Sequence, residues 1–326
     1  MKTVSIGIDL GGTKIIAGLV SRKGKINNRI EIPTRAKDGR KAVVRRLVLA
    51  AEKVIEKSGV PKNRIEGIGI GSPGLIDHSR GIVNVPPNLP GWKKVLLAKE
   101  IKKALGLPVY VINDANAAAL AESVYGAGRK YGSILCITLG TGVGGGIVVN
   151  RRLYLGHKQR AGEIGHMVVE KDGYRCKCGG RGCLERYVGN EYIVERAIRK
   201  IKQGQKSKLI KMTGGRLNEI TPLLLSKAAR QGDTLSKQVW EETGRYIGIV
   251  LASVMNFMDP GVIVIGGGVA RAGQLIFTPI RRTVRQYAYA LLHENINRRI
   301  VPAELGNNAG AVGAATFVWH QRYRGK

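Results

Sequence analysis

Aromatic residues, acidic residues and cysteines are all scarce in this chain of 326 residues. Aromatic side chains make up 5% of it, which argues against a surface on which nucleic-acid bases stack. Residues 131–150 carry no charge, but six glycines in this stretch make a poor lipid-facing helix, so we expect no membrane span. Hydrophobic residues make up 44%, enough for a folded core, and the length predicts about two domains.

The shortage of acidic residues gives the chain an unusual charge. Lys and Arg number 54 against 23 for Asp and Glu, a net charge of +31, which attracts polyanions such as nucleic acid, anionic lipid, polyphosphate or nucleotide. The basic residues are spread along the whole chain, without a basic tail or a dense block. We therefore favour a generally basic surface over a dedicated polyanion site.

Only four cysteines are present, and three of them, Cys176, Cys178 and Cys183, lie within eight residues. The N-terminus runs straight into a strand pattern without an export signal, so this cluster predicts a metal site rather than disulfides. A tetrahedral zinc site needs a fourth ligand, and His166 is the nearest candidate. Cys136 lies inside a predicted strand and is interpreted as a core residue.

Hydrophobic periodicity predicts alternating strands and helices, and hence an α/β fold. Predicted strands cover residues 4–10, 15–20, 29–34, 65–70, 109–112, 133–139, 146–149 and 262–265. Predicted helices cover residues 41–57, capped by Asp38, and residues 93–105, 115–124 and 235–257. Residues 8–13 and 137–142 share one pattern, an apolar strand followed by a glycine-bearing turn and a returning strand. This weak repeat predicts two related α/β halves, with the main boundary near residue 112.

Three glycine turns follow predicted strands and suggest a nucleotide site. Asp9 precedes the turn Gly11-Gly12-Thr13-Lys14, where backbone N–H groups, a hydroxyl and an ammonium can contact phosphate and the carboxylate can hold Mg²⁺. A simple hairpin turn is the alternative interpretation of this first motif. Residues 139–146 contain five glycines in eight residues, which favours a close approach of the backbone to a ligand. Residues 266–268 form the third turn. The Walker spacing is absent from residues 139–146 and 266–268.

Three carboxylates stand at positions suited to chemistry. Asp114 follows Asn113 at a strand end, where it can take a proton from a substrate hydroxyl or, alternatively, cap the following helix. Glu163 and Glu185 flank the cysteine cluster, and carboxylates accept paired hydrogen bonds from sugar hydroxyls. A loop stiffened by zinc and carrying both would hold a polyol rigidly.

These residues together resemble the ROK family (repressors, open reading frames and sugar kinases), and most of all its bacterial-type glucokinases. The resemblance covers nearly the whole chain in order. Its motifs are Asp9 to Thr13, residues 71–74, Asn113-Asp114, residues 139–146, 161–166, 176–185 and 266–268. It implies an actin-like ATPase (ribonuclease H-like) fold of two α/β domains with the active site in the interdomain cleft. The expected domains are residues 1–112, completed by a C-terminal helix at about 308–326, and residues 113–307, which carry the zinc loop.

The resemblance also implies roles for individual residues. Asp114 would be the catalytic base. The sugar would be bound by Gly74, Asn88, Asn113, Asp114, Glu163, His166 and Glu185. The ATP phosphates and Mg²⁺ would be held by Asp9, Gly11, Gly12, Thr13, Lys14, Gly140, Thr141 and Gly142, with Gly267 and Gly268 near the adenosine. His166, Cys176, Cys178 and Cys183 would bind a structural Zn²⁺.

The implied activity is ATP-dependent phosphorylation of glucose at its 6-hydroxyl by a cytoplasmic homodimer or homotetramer, with no specific nucleic-acid partner and no membrane. Alternatives within the family are another hexose, such as mannose, fructose or an N-acetylhexosamine, and polyphosphate as the phosphoryl donor. A sugar-sensing repressor is disfavoured because Asp9 begins the first phosphate turn so early that no helix-turn-helix precedes it. A non-catalytic binding protein is disfavoured because base, phosphate turns and sugar-binding residues occur together.

Overall fold

The structure of the protein is a computed structural model that describes residues 4–86, 88–291 and 295–322. Its strands are β1 (Val4–Leu10), β2 (Lys14–Ser21), β3 (Ile26–Pro33), β4 (Ile65–Ser72), β5 (Leu75–Asp77), β6 (Ile82–Asn84), β7 (Val109–Asn113), β8 (Ile134–Leu139), β9 (Val143–Val149), β10 (Arg152–Tyr154), β11 (Val262–Gly266) and β12 (Ile300–Pro302). Its helices are α1 (Arg40–Ser58), α2 (Leu97–Leu105), α3 (Asp114–Val124), α4 (Glu185–Val188), α5 (Asn190–Lys202), α6 (Lys208–Met212), α7 (Pro222–Arg230), α8 (Thr234–Met258), α9 (Gln274–Tyr287), α10 (Ile296–Arg299) and α11 (Ala309–Arg322). Short 3₁₀ turns lie between several of them.

Two five-stranded sheets share one topology. The first has the order β3-β2-β1-β4-β7 and the second β10-β9-β8-β11-β12. In each sheet the first three strands in sequence lie in reverse order. The fourth strand then pairs with the first, and the fifth pairs with the fourth. In the first sheet β1 pairs antiparallel with β2 and parallel with β4. This shared order agrees with the two related halves that the weak sequence repeat predicts.

The first sheet is covered by helices on both faces because isoleucine and glycine alternate in its central strands. Ile6 and Ile8 in β1, with Ile68 and Ile70 in β4, are fully buried in one apolar core with α1 and α2. The glycines next to these isoleucines lie on the opposite face of the sheet, because successive residues of a strand face opposite sides. There a Cβ on Gly7 or Gly69 would lie 1.8 Å from the carbonyl oxygen of Ala311 or Ala314, so the glycines let α11 lie directly on the sheet.

The chain divides into two compact units. One consists of Met1–Cys136, Gly146–Gly162 and Ala303–Lys326, and the other of Ile137–Gly145 and Glu163–Pro302. This division differs from the predicted boundary at residue 112, because α3 packs on α11 and so stays with the first unit. The predicted domains also contain residues 1–3, 87, 292–294 and 323–326, which lie outside the described residues.

Two predicted helix starts need correction. Asp38 does not cap α1: it ends a 3₁₀ turn and pairs with Arg46 at 3.3 Å, and Gly39 stands at the N-cap position instead. The helix predicted from residue 93 begins at Leu97, because Val95 exchanges backbone hydrogen bonds with Val83 at 2.9 Å in each direction. Strand pairing thus takes the segment that periodicity assigned to the helix. The long helix predicted over 235–257 is α8, and Asp233 caps it through the N–H of Ser236.

Candidate active site

Asp9 and Asp114 lie at the same edge of the first sheet. Strand β1 runs parallel to β4, which runs parallel to β7, and the register pairs Asp9 with Gly71 and Ser72 with Asn113. The pKa of Asp9 is raised to about 7, chiefly by burial and then by the nearby charge of Asp114, while Lys14 opposes the rise. Burial likewise raises the pKa of Asp114, against the opposing effect of the Ala115 N–H. Two half-buried acids that interact electrostatically favour a bound proton or cation.

Asn113, rather than Asp114, is the N-cap residue of α3. Its side-chain oxygen accepts hydrogen bonds from the N–H groups of Ala115 and Asn116 at 3.0 and 3.1 Å. Its amide nitrogen lies 3.5 Å from the carbonyl oxygen of Gly74, which joins two of the predicted sugar-binding residues. The carboxylate of Asp114 also accepts a hydrogen bond from the N–H of Ala115, at 2.9 Å. The helix cap is therefore provided without requiring the carboxylate of Asp114.

The first phosphate turn is a tight connection between β1 and β2. The Gly11 N–H donates to the carbonyl of Lys14 at 3.0 Å, and the Thr34 hydroxyl donates to the carbonyl of Gly11 at 2.6 Å. A Cβ on Gly12 would lie 2.8 Å from the Cβ of Asn88, so this position needs glycine. Thr13 is exposed. These contacts fix a turn whose outer edge faces solvent and place Asn88 beside it.

Lys14 does not stand free beside this turn. Its ammonium pairs with Glu31 at 3.1 Å, with both side chains about 40% exposed. The same carboxylate accepts a hydrogen bond from Arg29 at 2.5 Å. The phosphate contact predicted for Lys14 therefore requires the ammonium to leave or share Glu31, an exchange that exposed ion pairs make easily.

In the second unit, the glycine turn after β8 is bound to Glu185. The N–H of Gly140 donates to the carbonyl of Gly142 at 3.0 Å, closing the turn around Thr141. The N–H of Val143 donates to Oε2 of Glu185 at 2.9 Å. A Cβ on Gly142 would lie 2.5 Å from the same oxygen. One oxygen of this predicted sugar ligand is thus committed to the phosphate turn.

Glu163 and His166 lie on an exposed 3₁₀ turn next to this region. Glu163 stands at the N-cap position of the turn Ile164–His166, and both side chains are exposed. Gly165, between them, is buried, and a Cβ there would lie 2.4 Å from the carbonyl oxygen of Val143. The structure therefore brings the Glu163 turn against the residue that binds Glu185.

The third glycine turn lies beside the end of β8. Gly267 has φ +90°, and a Cβ there would lie 2.2 Å from the carbonyl oxygen of Leu139. Both the conformation and the contact require glycine at this position. Gly268 is exposed and would meet nothing within 4 Å. The turn predicted to lie near adenosine is therefore next to Gly140 in the fold of the second unit.

The four predicted metal ligands converge. One ligand atom from each of His166, Cys176, Cys178 and Cys183 lies within 4.8 Å of every other. The cysteine loop is shaped by the N–H of Cys176, which donates to the carbonyl of Gly180 at 2.8 Å. Three sulfur atoms and one imidazole are a donor set that zinc prefers, so the residues present fit that ion. Cys136 is buried away from this cluster, in β8, as predicted.

Sequence analysis assigned no role to two residues, one that contacts Asp9 and one in α3. A Cβ on Gly310, in the first turn of α11, would lie 2.5 Å from Cγ of Asp9. Glu122, in the last turn of α3, is a fully buried carboxylate. Only the close glycine spacing in residues 306–313 gave a signal for the first, and nothing local distinguishes the second from a solvated helix glutamate.

Comparison with known proteins agrees with this architecture. The family model described as ROK family matches residues 5–321. The chain belongs to the ROK family. A glucokinase of Thermotoga maritima is 37% identical over 96% of this chain and 96% of its own. A crystal structure of a ROK family glucokinase from Streptomyces griseus, in complex with glucose and AMPPNP, is 35% identical, covers 97% of this chain and 99% of its own, and has a TM-score of 0.83.

Proteins similar to this chain also include transcriptional regulators. A xylose repressor of Caldicellulosiruptor bescii is 29% identical over 96% of this chain, which spans 77% of the repressor. The actin-like α/β fold expected from the sequence is confirmed by the solved ROK structures. In the part of the chain that the structure describes, no helix has the length and apolar character that crossing a bilayer demands.

Proposed function

We propose that this ROK protein transfers the γ-phosphoryl group of ATP to the 6-hydroxyl of glucose. The observation that carries the proposal is the half-buried pair Asp9 and Asp114 at one sheet edge, in a chain that aligns with a glucokinase over 96% of both lengths. The glucose and AMPPNP bound to the Streptomyces griseus protein support the choice of acceptor and donor.

Asp114 acts as the general base in this proposal. It accepts the proton of the 6-hydroxyl as the sugar oxygen bonds to the γ-phosphorus and the bond to the ADP oxygen breaks. Its position suits the task because burial raises its pKa above the usual value of an aspartate and Asn113 provides the helix cap. General-base catalysis contributes about 10²–10⁴-fold in rate.

The phosphate turns supply charge stabilisation. Phosphoryl transfer passes through a loose transition state, so the protein mainly positions groups and neutralises charge. The residues proposed to hold the phosphates are Gly11, Gly12, Thr13, Lys14, Gly140, Thr141 and Gly142, with Gly267 and Gly268 near the adenosine. Asp9 fits Mg²⁺ because its half-buried carboxylate interacts with a second acid, Asp114, and the ion would neutralise phosphate charge when bound.

The sugar-binding residues are proposed to be Gly74, Asn88, Asn113, Asp114, Glu163, His166 and Glu185. Zn²⁺ held by His166 and the three clustered cysteines would stiffen the loop that carries the two glutamates. The zinc supplies structure and no chemical step. We further propose a cytoplasmic homodimer or homotetramer without a specific nucleic-acid partner, which light scattering and gel-shift experiments can test.

The proposal is tested by measuring ADP release with ATP·Mg²⁺ and five sugars: glucose, mannose, fructose, N-acetylglucosamine and N-acetylmannosamine. We expect glucose to give the highest kcat/KM. A higher value with another sugar would move the assignment to that hexose, and no turnover with any sugar would contradict the kinase.

A second donor is favoured by one observation, the net charge of +31, which suits a polymeric anion. Inorganic polyphosphate replacing ATP in the same assay, with glucose 6-phosphate as the readout, separates the two donors. We expect ATP to be the better donor. A greater kcat/KM with polyphosphate would overturn that choice while leaving the kinase assignment intact.

A further inference from the structure

Glu122 is a buried charge without a place in the site described so far. It lies in the last turn of α3 and is 0% exposed. A carboxylate at a helix C-terminus faces the negative end of the helix dipole, and a buried charge is costly unless hydrogen bonds satisfy it. The fold therefore retains Glu122 at a position where hydrogen bonds to its oxygens must offset the cost of burial.

Both oxygens of Glu122 accept backbone hydrogen bonds from a distant segment, and one of them also accepts from the loop that follows α3. Oε2 accepts from the N–H of Ala127 at 2.9 Å and of Glu304 at 3.2 Å, and Oε1 accepts from Leu305 at 2.8 Å. A Cβ on Gly126 would lie 2.0 Å from Oε2, so glycine makes room for the carboxylate. Only a carboxylate offers two acceptor oxygens at this position, because a glutamine amide offers one.

The segment gripped by Glu122 leads directly into the contact with Asp9. Glu304 and Leu305 follow Ala303, where the chain re-enters the first unit, and the 3₁₀ turn Gly306–Asn308 follows them. The turn is fixed to the same segment, because the Asn308 N–H donates to the carbonyl of Leu305 at 3.1 Å. Helix α11 then starts, and its second residue is Gly310, packed on the Asp9 carboxylate.

A second contact holds α11 and α3 in register. A Cβ on Gly313 would lie 1.7 Å from the carbonyl oxygen of Ala117, in the turn of α3 that follows Asp114. Such close backbone packing transmits a displacement of one helix to the other, because interiors are densely packed. The C-terminal end of α3 therefore fixes the start of α11, and α11 contacts both the Asp9 side chain and the helix that begins at Asp114.

We propose that Glu122 is a positioning residue of the phosphoryl-transfer site. Its carboxylate fixes residues 304–305 and hence the first turn of α11, which in turn holds Asp9 beside Asp114. The proposal rests on the proposed function, since it gives Asp9 a role in binding Mg·ATP.

The matched control is Glu66, a second buried glutamate of the same unit. Glu66 is 1% exposed, pairs with Arg22 at 2.8 Å, and its carbonyl accepts a hydrogen bond from Arg322 at 2.7 Å at the other end of α11. Glu66→Gln removes the ion pair with Arg22, whose guanidinium lies 4.7 Å from the ring of Trp319, so it weakens the fold at α11 but far along this helix from Gly310. Glu122→Gln and Glu66→Gln are both expected to lower the melting temperature.

The first experiment is calorimetric titration of each protein with Mg·AMPPNP. We expect Glu122→Gln to weaken the binding of Mg·AMPPNP about tenfold, a typical effect for a residue that acts through packed neighbours. We expect Glu66→Gln to leave this affinity unchanged. Hydrogen exchange read by mass spectrometry provides a readout without nucleotide. Amides of residues 303–312 should exchange faster in Glu122→Gln and at the wild-type rate in Glu66→Gln.

Equal effects of the two variants on nucleotide affinity would overturn the proposal, as would wild-type affinity in Glu122→Gln. If Glu122→Gln does not fold, Gly310→Ala tests the same relay at its other end. The added methyl should displace Asp9 and weaken Mg·AMPPNP, and unchanged affinity would contradict the relay. Sugar-dependent ADP release by the wild type is measured first: its absence refutes the proposed function alone, because exchange still reports on Glu122.

Discussion

The Oε2 atom of Glu185 accepts a hydrogen bond from the N–H of Val143 at 2.9 Å, which joins a predicted sugar ligand to a predicted phosphate turn. Glu163 lies on the neighbouring 3₁₀ turn, and its exposed side chain has no such attachment among the described hydrogen bonds. The two glutamates should therefore respond differently to mutation, although the sequence suggests the same role for both.

Glu185→Ala should raise KM for both glucose and ATP, whereas Glu163→Ala should raise KM for glucose alone. Loss of the Glu185 carboxylate leaves the Val143 N–H without its acceptor and loosens residues 140–142, at a cost of about 1–3 kcal/mol. Steady-state kinetics with each substrate varied in turn measures both constants. An unchanged KM for ATP in Glu185→Ala would show that the turn does not depend on this side chain.

The stability of the ligand-free protein should fall as pH rises toward neutrality, and Asp9→Asn should reduce that fall. The pKa of Asp9 in the folded protein is raised to about 7 from its usual value of 3.8, so between these values the folded protein binds a proton that the unfolded chain releases. Stability from this proton is complete below about pH 4 and lost as pH rises to about 7. Thermal unfolding from pH 5 to 8 measures how the melting temperature of each protein changes with pH, and the same pH dependence in wild type and variant would contradict a raised pKa for Asp9.

Cys178→Ser should lower zinc content, melting temperature and glucose affinity together. Removing one thiolate opens the predicted four-ligand site and frees the loop between Glu163 and Glu185. Elemental analysis, thermal unfolding and calorimetry with glucose give the three values. Cys136→Ala is the matched control, because this cysteine is buried in β8 outside the cluster and should retain the metal. Retention of full zinc by Cys178→Ser would refute the site.

Gly69→Ala should destabilise the protein by about 1–3 kcal/mol, the usual cost of overpacking. The new Cβ would lie 1.8 Å from the carbonyl oxygen of Ala314, so α11 must move away from the sheet. Gly132→Ala is the control, since a Cβ there meets nothing within 4 Å. Denaturant unfolding of both variants gives the comparison. Equal stability of the two would mean that α11 does not rest on Gly69.

The parts of the site that could be predicted from sequence are those that depend on residues close together in the chain. Asp9 and Asp114 end buried strands, and parallel pairing brings such ends to one edge. The cysteine spacing likewise predicts the ligand cluster that the fold assembles. Local patterns could also mislead: Asp38 has the residue type of a helix cap, but Gly39 takes that position.

What sequence could not provide depends on contacts between distant segments. Glu122 binds Glu304 and Leu305 across about 180 residues, and only the folded chain shows the pairing. The Gly310 contact with Asp9 likewise requires α11 to return to the first sheet. The cap provided by Asn113 is intermediate, because Asn and Asp have similar preferences at that position and only geometry separates them.

The most direct test of the account is the turnover of Asp114→Asn with ATP·Mg²⁺ and glucose, beside calorimetric binding of glucose to the same protein. Asp77→Asn is the control, because Asp77 lies in β5, where its carboxylate binds Ser79 at 2.7 Å. We predict that Asp114→Asn loses kcat by at least about 10²-fold, the lower end of general-base contributions, while glucose binding remains measurable and Asp77→Asn turns over normally. Substantial turnover by Asp114→Asn would contradict the assignment of Asp114 as the base.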